Sequence, residues 1–329
     1  MNRNLKAALA VVAMAAGCFA GAAHADYPDR PIHMVVPYPP GGTNDKLIRI
    51  LGDHLNKELK QPIVVENRAG AATAIGAQYV ERSAPDGYTV LAGSASTFFV
   101  NPLVRKDVTY SLARDFKTVA IIAEAPMAFL ANPNSPYKSM KDIIRAAQKS
   151  PGKVMYATGG TGTSMHLVSE GFAANAGIHL QHVPYQGDAP AMLALIRGDV
   201  PLMTEVVSGA AAMVKAGQAR PLAVGTAQRL PLWPDVPTVG EATGMQNFIA
   251  WTWWSLQVPK ATPDAAVDKL RKAVYRVLDE PSFQAAFKQD GLIFTVPRSA
   301  KEIQDFLAQE GERWSALYKT VLANGGIKP

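Results

Sequence analysis

The residues best placed to do chemistry in this chain are glycines and hydroxyls, in two stretches that resemble each other. "PYPPGGTND" (37–45) follows the apolar run "IHMVV" (32–36) and leads into "LIRILGDHLNKEL"; "ATGGTGTSMH" (157–166) follows "VMY" and leads into "LVSEGFAANAG". In both, a strand-like segment passes through a glycine turn into a helix-like one. The first turn of a helix has backbone N–H groups without intrahelical partners, and the helix dipole adds partial positive charge there. Glycines let the backbone approach a ligand with no Cβ in the way, so each stretch is a candidate anion site. Gly41–Gly42 make the first turn; Gly159, Gly160 and Gly162 make the second, with Thr163 or Ser164 as the helix cap. Neither stretch contains Lys or Arg, G-x-x-x-x-G-K-[ST] is absent, and Met165 stands where G-x-G-x-x-G needs its last glycine. A singly charged carboxylate suits neutral N–H and hydroxyl donors better than a di- or triphosphate does. Each loop alone reads by default as an ordinary βα turn; two in one chain argue for binding. Asp45 can cap the following helix, order the Gly41–Gly42 turn, or meet a cationic or hydroxyl group on the ligand.

Other chemistries fit less well. Ser164, His166 and Asp188 could be drawn as a hydrolytic triad, but residues two apart on a helix do not face each other. "GTSMH" also lacks the final glycine of a nucleophile elbow, so no catalytic residue is expected. His179 and His182 lie three apart on a strand-like segment, pointing to opposite faces, with no acid or cysteine nearby. They are expected to be structural, and no metal or cofactor is expected. Trp251, Trp253 and Trp254 could stack on an aromatic ligand, with core packing the default. Glu205 would bear on selectivity if it faced the site, repelling a second carboxylate and favouring an amino or hydroxyl group.

The elements that must position these loops alternate regularly. Strands are predicted at 32–36, 63–67, 89–93, 118–125, 128–132, 154–158, 180–185, 200–206, 221–226 and 254–259. Helices are predicted at 44–59, 73–83, 139–149, 164–176, 188–197, 208–216, 263–279, 282–290 and 299–323. In the first helix, Leu47, Ile50, Leu51 and Leu55 form a core-facing stripe. Alternation of this kind predicts an α/β fold with largely parallel sheets. Two proline-marked zones, "EAPMAFLANPNSPYKS" and "RPLAVGTAQRLPLWPDVPT", enclose a central segment. They predict one lobe built from 26–124 with 228–329 and a second, inserted lobe at 125–227, with a cleft between them where small molecules bind.

The first residues address the compartment. Arg3 and Lys6 precede the apolar "ALAVVAMAAG", and "AHA" (23–25) makes a small-residue cleavage site. This predicts a signal peptide over 1–25, cleaved after Ala25; the apolar run is short of the about 20 residues of a spanning helix. A lipoprotein cleaved before Cys18 is the lesser reading, because Ala15 stands where such signals usually carry Leu. Cleavage after Ala25 removes the sole cysteine and two positive charges, taking the net charge from +6 to +4. That mild, scattered charge indicates neither nucleic acid nor an anionic membrane surface as partner. A soluble, exported, monomeric protein is expected.

Taken in order, "PYPPGGTND", "VVENRAGAATAIGAQYVERSAPDGYTVLAGSAS", "PGKVMYATGGTGTSMHL", "HVPYQGDAPAMLALIRGDV" and "RPLAVGTAQRLPLWPDVPTVGEA" resemble the periplasmic solute receptors of tripartite tricarboxylate transporters, the Bordetella-uptake-gene type. The resemblance covers nearly the whole mature chain. It implies a two-lobed, type II-like periplasmic-binding fold of the Venus flytrap sort, without catalysis. It implies a small carboxylate held between lobes, largely by backbone N–H groups, and delivery to inner-membrane transporter subunits. A sensory receptor of the same fold feeding a two-component system is the alternative. Carried over by position, the site comprises Tyr38, Pro39, Gly41, Gly42, Thr43 and Asp45, then Thr158, Gly159, Gly160, Thr161, Gly162, Thr163, Ser164 and His166. Ser96, Gly187 and Asp188 should border the cleft. The chain departs from the family where a glycine pair is common near Ala72–Thr73, where "KATP" replaces Ala-Gly-Thr-Pro, at Ser255, at the extra Trp251 and Trp254, and in "TEVVS" (204–208).

Overall fold

The computed structural model describes residues 27–287 and 290–327; the expected signal peptide, its cleavage site and Cys18 lie outside them. Nine strands form one curled mixed sheet: β1 (Ile32–Val36), β2 (Ile63–Asn67), β3 (Thr89–Ser94), β4 (Phe116–Ala131), β5 (Met155–Thr158), β6 (Gln181–Pro184), β7 (Leu202–Val206), β8 (Arg220–Val224) and β9 (Trp251–Pro259). Their order is β2-β1-β3-β9-β4-β7-β5-β6, with β8 also on β4.

The outer strands are parallel, as the strand–helix alternation predicts: β1 with β2 and β3, and β5 with β6 and β7. The middle of the sheet is not. β9 is antiparallel to β3 and β4, and β4 is antiparallel to β7 and β8. β4 is a single 16-residue strand where two strands, 118–125 and 128–132, are expected from the sequence. Pro126 looks like a breaker, but it falls where the ladder changes partner. Phe116–Pro126 pair with β9 and Met127–Ala131 with β7. A residue without an N–H is tolerated at such an irregularity.

Helices cover both faces. Those that matter for the site are α1 (Thr43–Leu59), α2 (Ala74–Glu81), α3 (Met140–Lys149), α4 (Ser164–Asn175), α5 (Asp188–Arg197), α6 (Val207–Lys215), α7 (Asp264–Leu278) and α8 (Ala300–Ala323). α1 buries Leu47, Ile48, Leu51 and Leu55 against the first half of the sheet. Beneath α5 and α6, Ala191, Leu195, Val207 and Ala210 form a smaller cluster with Leu130 and Met203. The expected helix at 282–290 is shorter, Pro281–Ala285.

α8 straddles the two halves. A Cβ on Gly171 of α4 would stand 2.4 Å from Leu317, and one on Gly311 would stand 3.1 Å from Phe99, so both surfaces press closely on this helix. Trp314 of α8 is fully buried and shares Glu310 with Trp253 of β9 through indole N–H bonds of 2.9 and 2.7 Å.

Candidate functional site

Four helix N-termini converge on one cavity of about 30 Å³. Gly42, Thr43 and Asn44 come from the start of α1, and Ser164 and Met165 from α4. Asp188, Ala189 and Pro190 come from α5, and Val206 immediately precedes α6. The helices start here because the sheet strands end here: β1, β5 and β6 each run through a turn into a helix, and β7 passes directly into α6. Gly42, Gly187 and Val206 cap α1, α5 and α6 without any side-chain hydrogen bond. The first-turn N–H groups of these three helices therefore carry donor capacity and partial positive charge toward the same small space.

The second glycine loop is spent differently. Thr163 caps α4 by accepting from the His166 N–H at 3.3 Å, and the Ser164 N–H donates to Ser96 Oγ at 2.9 Å. The Gly162 N–H donates to His166 Nδ1 at 3.3 Å, and the Gly160 N–H to Thr158 Oγ1 at 3.3 Å. Much of the donor set the sequence assigns to a ligand is thus committed within the loop or to Ser96. His166 supports the turn: its ring stacks on His182 at 3.9 Å and 18°. Burial and the neighbouring ring hold His166 well below the usual imidazole range, and burial lowers His182 to about 4. Both stay neutral at pH 7. His182 bonds Thr158 Oγ1 at 2.7 Å.

Asp45 also builds rather than lines the cavity. Its carboxylate accepts from the Gly41 N–H (3.0 Å), Arg49 Nε (3.0 Å) and Asn67 Nδ2 (2.8 Å). Burial works to raise its pKa, but the bonds from Arg49, Gly41 and Asn67 outweigh it and hold the group below the ordinary value. Gly41 needs the order: its φ of 90° belongs to the left-handed region that glycine alone adopts readily. Of the two candidate roles beyond simple capping, ordering the turn is the one the contacts display.

Tyr38 and Pro39 separate this cavity from a larger one of about 360 Å³, lined by Ala69–Thr73, Arg105, Gly159, Gly160, Thr161, Thr163 and Gly187. The Tyr38 hydroxyl pairs with Ser94 Oγ at 2.7 Å, and burial pushes its pKa up to about 12. The expected site residues thus fall into three groups. Tyr38, Pro39, Gly42, Thr43, Ser96, Ser164 and Asp188 line the small cavity. Gly159, Gly160, Thr161, Thr163 and Gly187 line the larger one. Gly41, Asp45, Thr158, Gly162 and His166 line neither and support the loops.

Asn44 and Thr252 line the small cavity without having been singled out from the sequence, and Trp254, one of the three tryptophans offered for stacking on a ligand, lines it too. Period-two alternation along β9 is the signal for the last two: Thr252 and Trp254 share one face, and Trp253, buried against Phe99 and Phe306, takes the other. Glu205 is 2% exposed. It lies toward the site: a Cβ on Gly209 would sit 3.0 Å from Glu205 Oε1 and 3.1 Å from Thr43 Oγ1. No triad is assembled, because Ser164 Oγ bonds Ser96 (3.1 Å) and Met165 Sδ (3.4 Å) while His166 bonds Gly162. Among the described residues no group of three or more His, Cys, Asp or Glu could hold a metal, and no helix is long and apolar enough to cross a membrane.

Residues 47–322 match the tripartite tricarboxylate transporter family receptor. The chain belongs to this family. Protein BugT of Bordetella pertussis is 31% identical over 317 residues, 96% of this chain and 97% of BugT. Among solved structures, Rhodopseudomonas palustris Rpa4515 with adipate is 32% identical with a TM-score of 0.85, covering 90% of this chain and 98% of that one. MatC of the same organism, with bound malate, is 28% identical with a TM-score of 0.84, covering 89% and 100%. The family and these neighbours are solute-binding receptors with the same α/β architecture.

Proposed function

We propose that this receptor captures a small carboxylate-bearing metabolite in the periplasm and delivers it to inner-membrane subunits of a tripartite tricarboxylate-type transporter. The dicarboxylates in the neighbouring structures, malate and adipate, support the ligand class. The observation that carries the reading is the convergence of four helix N-termini on a cavity whose lining includes no Lys or Arg. Neutral, fixed N–H groups and hydroxyls suit one carboxylate, and the larger cavity beyond Tyr38 and Pro39 takes the rest of a longer ligand.

Residues 26–124 with 228–329 and residues 125–227 act, in this reading, as two lobes hinged at β4 and the segment before β9. Hydrogen bonds from Ser96 Oγ to Ser164 Oγ (3.1 Å) and from Ser208 Oγ to Thr43 Oγ1 (3.4 Å) cross between them. Such contacts, and simultaneous ligand contact with α1 and α5, exist together only when the lobes are closed, so ligand binding biases closure. The mature chain, cleaved after Ala25, works as a monomer with no cofactor.

A thermal-shift screen of the mature chain against small mono- and dicarboxylic acids and their methyl esters tests this. A ligand at 100 times its Kd adds roughly 2.7 kcal/mol to stability. Acids that raise Tm while their esters do not support the proposal; shifts confined to phosphates, sugars or peptides overturn it.

A further inference from the structure

We propose that Asp188, Glu205 and Asn44 form a cation subsite beside the helix N-termini, so that the preferred ligand carries an ammonium group close to its carboxylate, as an amino acid does. This inference rests on the carboxylate reading above and narrows it. Three acceptors are involved, each from a different element: α1, α5 and the end of β7.

Asn44 and Glu205 each leave a buried oxygen without a partner, and Asp188 is half-buried beside them. Asn44, 5% exposed, lines the small cavity; its Nδ2 donates to the Ala92 carbonyl at 3.3 Å, which fixes the amide orientation and leaves Oδ1 buried with no partner. Glu205 accepts one bond, from the Val206 N–H at 2.7 Å, through Oε1; its Oε2 is buried and unpartnered. Asp188 lines the cavity, and a Cβ built on Gly42 across it would lie 3.9 Å from Asp188 Oδ2. No Lys or Arg lines the cavity.

A buried carboxylate with no cation and a single donor is costly, and an unpartnered buried amide oxygen adds to the cost. Burial raises both carboxyls, Asp188 to about 6 and Glu205 well above its ordinary value, the latter also through repulsion by Asp188 and against the single bond from Val206. One group suits all three acceptors. An ammonium has a full positive charge, three N–H donors and no acceptor, which matches two acidic oxygens and one amide oxygen. A plain dicarboxylate would bring a second negative charge to the same place.

Calorimetry with the mature chain and matched pairs that differ only in the ammonium group tests the proposal: alanine and propionate, aspartate and succinate, phenylalanine and 3-phenylpropionate. In any pair that binds, the amino member should bind about tenfold or more tighter. Glu205→Gln should erase most of that preference, and Asp188→Asn part of it, with cooperative thermal unfolding retained in both. Equal or tighter binding of the desamino member overturns the cation subsite and leaves the carboxylate site standing. A preference that survives both substitutions also overturns it. If no member of any pair binds while other solutes do, the carboxylate reading fails and this inference with it.

Discussion

Replacing Gly42 by alanine separates site from fold. Gly42 has φ −82° and ψ 175°, extended backbone that alanine adopts without strain. The added Cβ would meet only Asp188 Oδ2, at 3.9 Å, an ordinary contact. Alanine is a poorer helix N-cap than glycine, a cost of up to about 1 kcal/mol. The stiffer unfolded chain offsets about 0.4–1 kcal/mol of it, so unfolding free energy should change little. The methyl group nevertheless stands in a cavity of about 30 Å³, beside the free N–H groups of α1. Overpacking of this kind costs about 1–3 kcal/mol, or roughly 5- to 150-fold in Kd. Urea denaturation and calorimetry on the same preparation read both quantities. Unchanged affinity for the best acid would refute the placement of the ligand at the start of α1. Gly41 is a worse choice for this purpose, since any side chain at φ 90° confounds strain with blockade.

Three further outcomes follow from the geometry. Ala71, Ala72 and Thr73 hold φ values of 47°, 48° and 86°, so Ala72→Gly should raise unfolding free energy by about 1 kcal/mol in urea denaturation; a loss would mean that contacts, not backbone strain, govern this loop. Asp45→Asn weakens the bonds that order the Gly41 turn, and should cost about 1–2 kcal/mol of stability together with a weaker Kd; full affinity in that variant would show that the turn orders itself. Asp188 is raised from 3.8 to about 6 by burial, so the folded apo chain holds this proton more tightly than the unfolded chain does. That contribution is complete below about pH 4 and is lost as pH rises through 6, at most about 3 kcal/mol. Asp188→Asn should therefore gain on wild type between pH 4 and 7 in urea denaturation of the apo chain, and a constant difference across that range would contradict the burial of this carboxyl.

How much of this could be read from the sequence varies with the element. The start of α1 was legible because an apolar run, a glycine turn and a 3.6-residue stripe follow each other without interruption. The same holds for α5, where predicted and observed bounds coincide at 188–197. β4 was misread because Pro126 carries a local signal for a break, whereas its tolerance depends on a change of strand partner that only the tertiary pairing reveals. The second glycine loop shows a different limit. Its residues identify a helix N-terminus, but whether an N–H is free depends on groups far away in sequence, such as Ser96 bonding Ser164. Glu205 could not be placed because Leu202–Val206 is buried throughout, leaving no polar alternation to mark an inward face. Asn44 was hidden by its position inside a motif whose glycines drew the argument.

Carboxylate binding at the helix N-termini is tested most directly by a crystal structure of the mature chain with the tightest-binding acid from the solute screen. The ligand carboxylate should lie within about 2.7–3.2 Å of backbone N–H groups in the first turn of α1, in the space shared by Thr43, Ser164 and Asp188. A carboxylate seated instead on Arg105 in the larger cavity, with the first turn of α1 untouched, would contradict that placement.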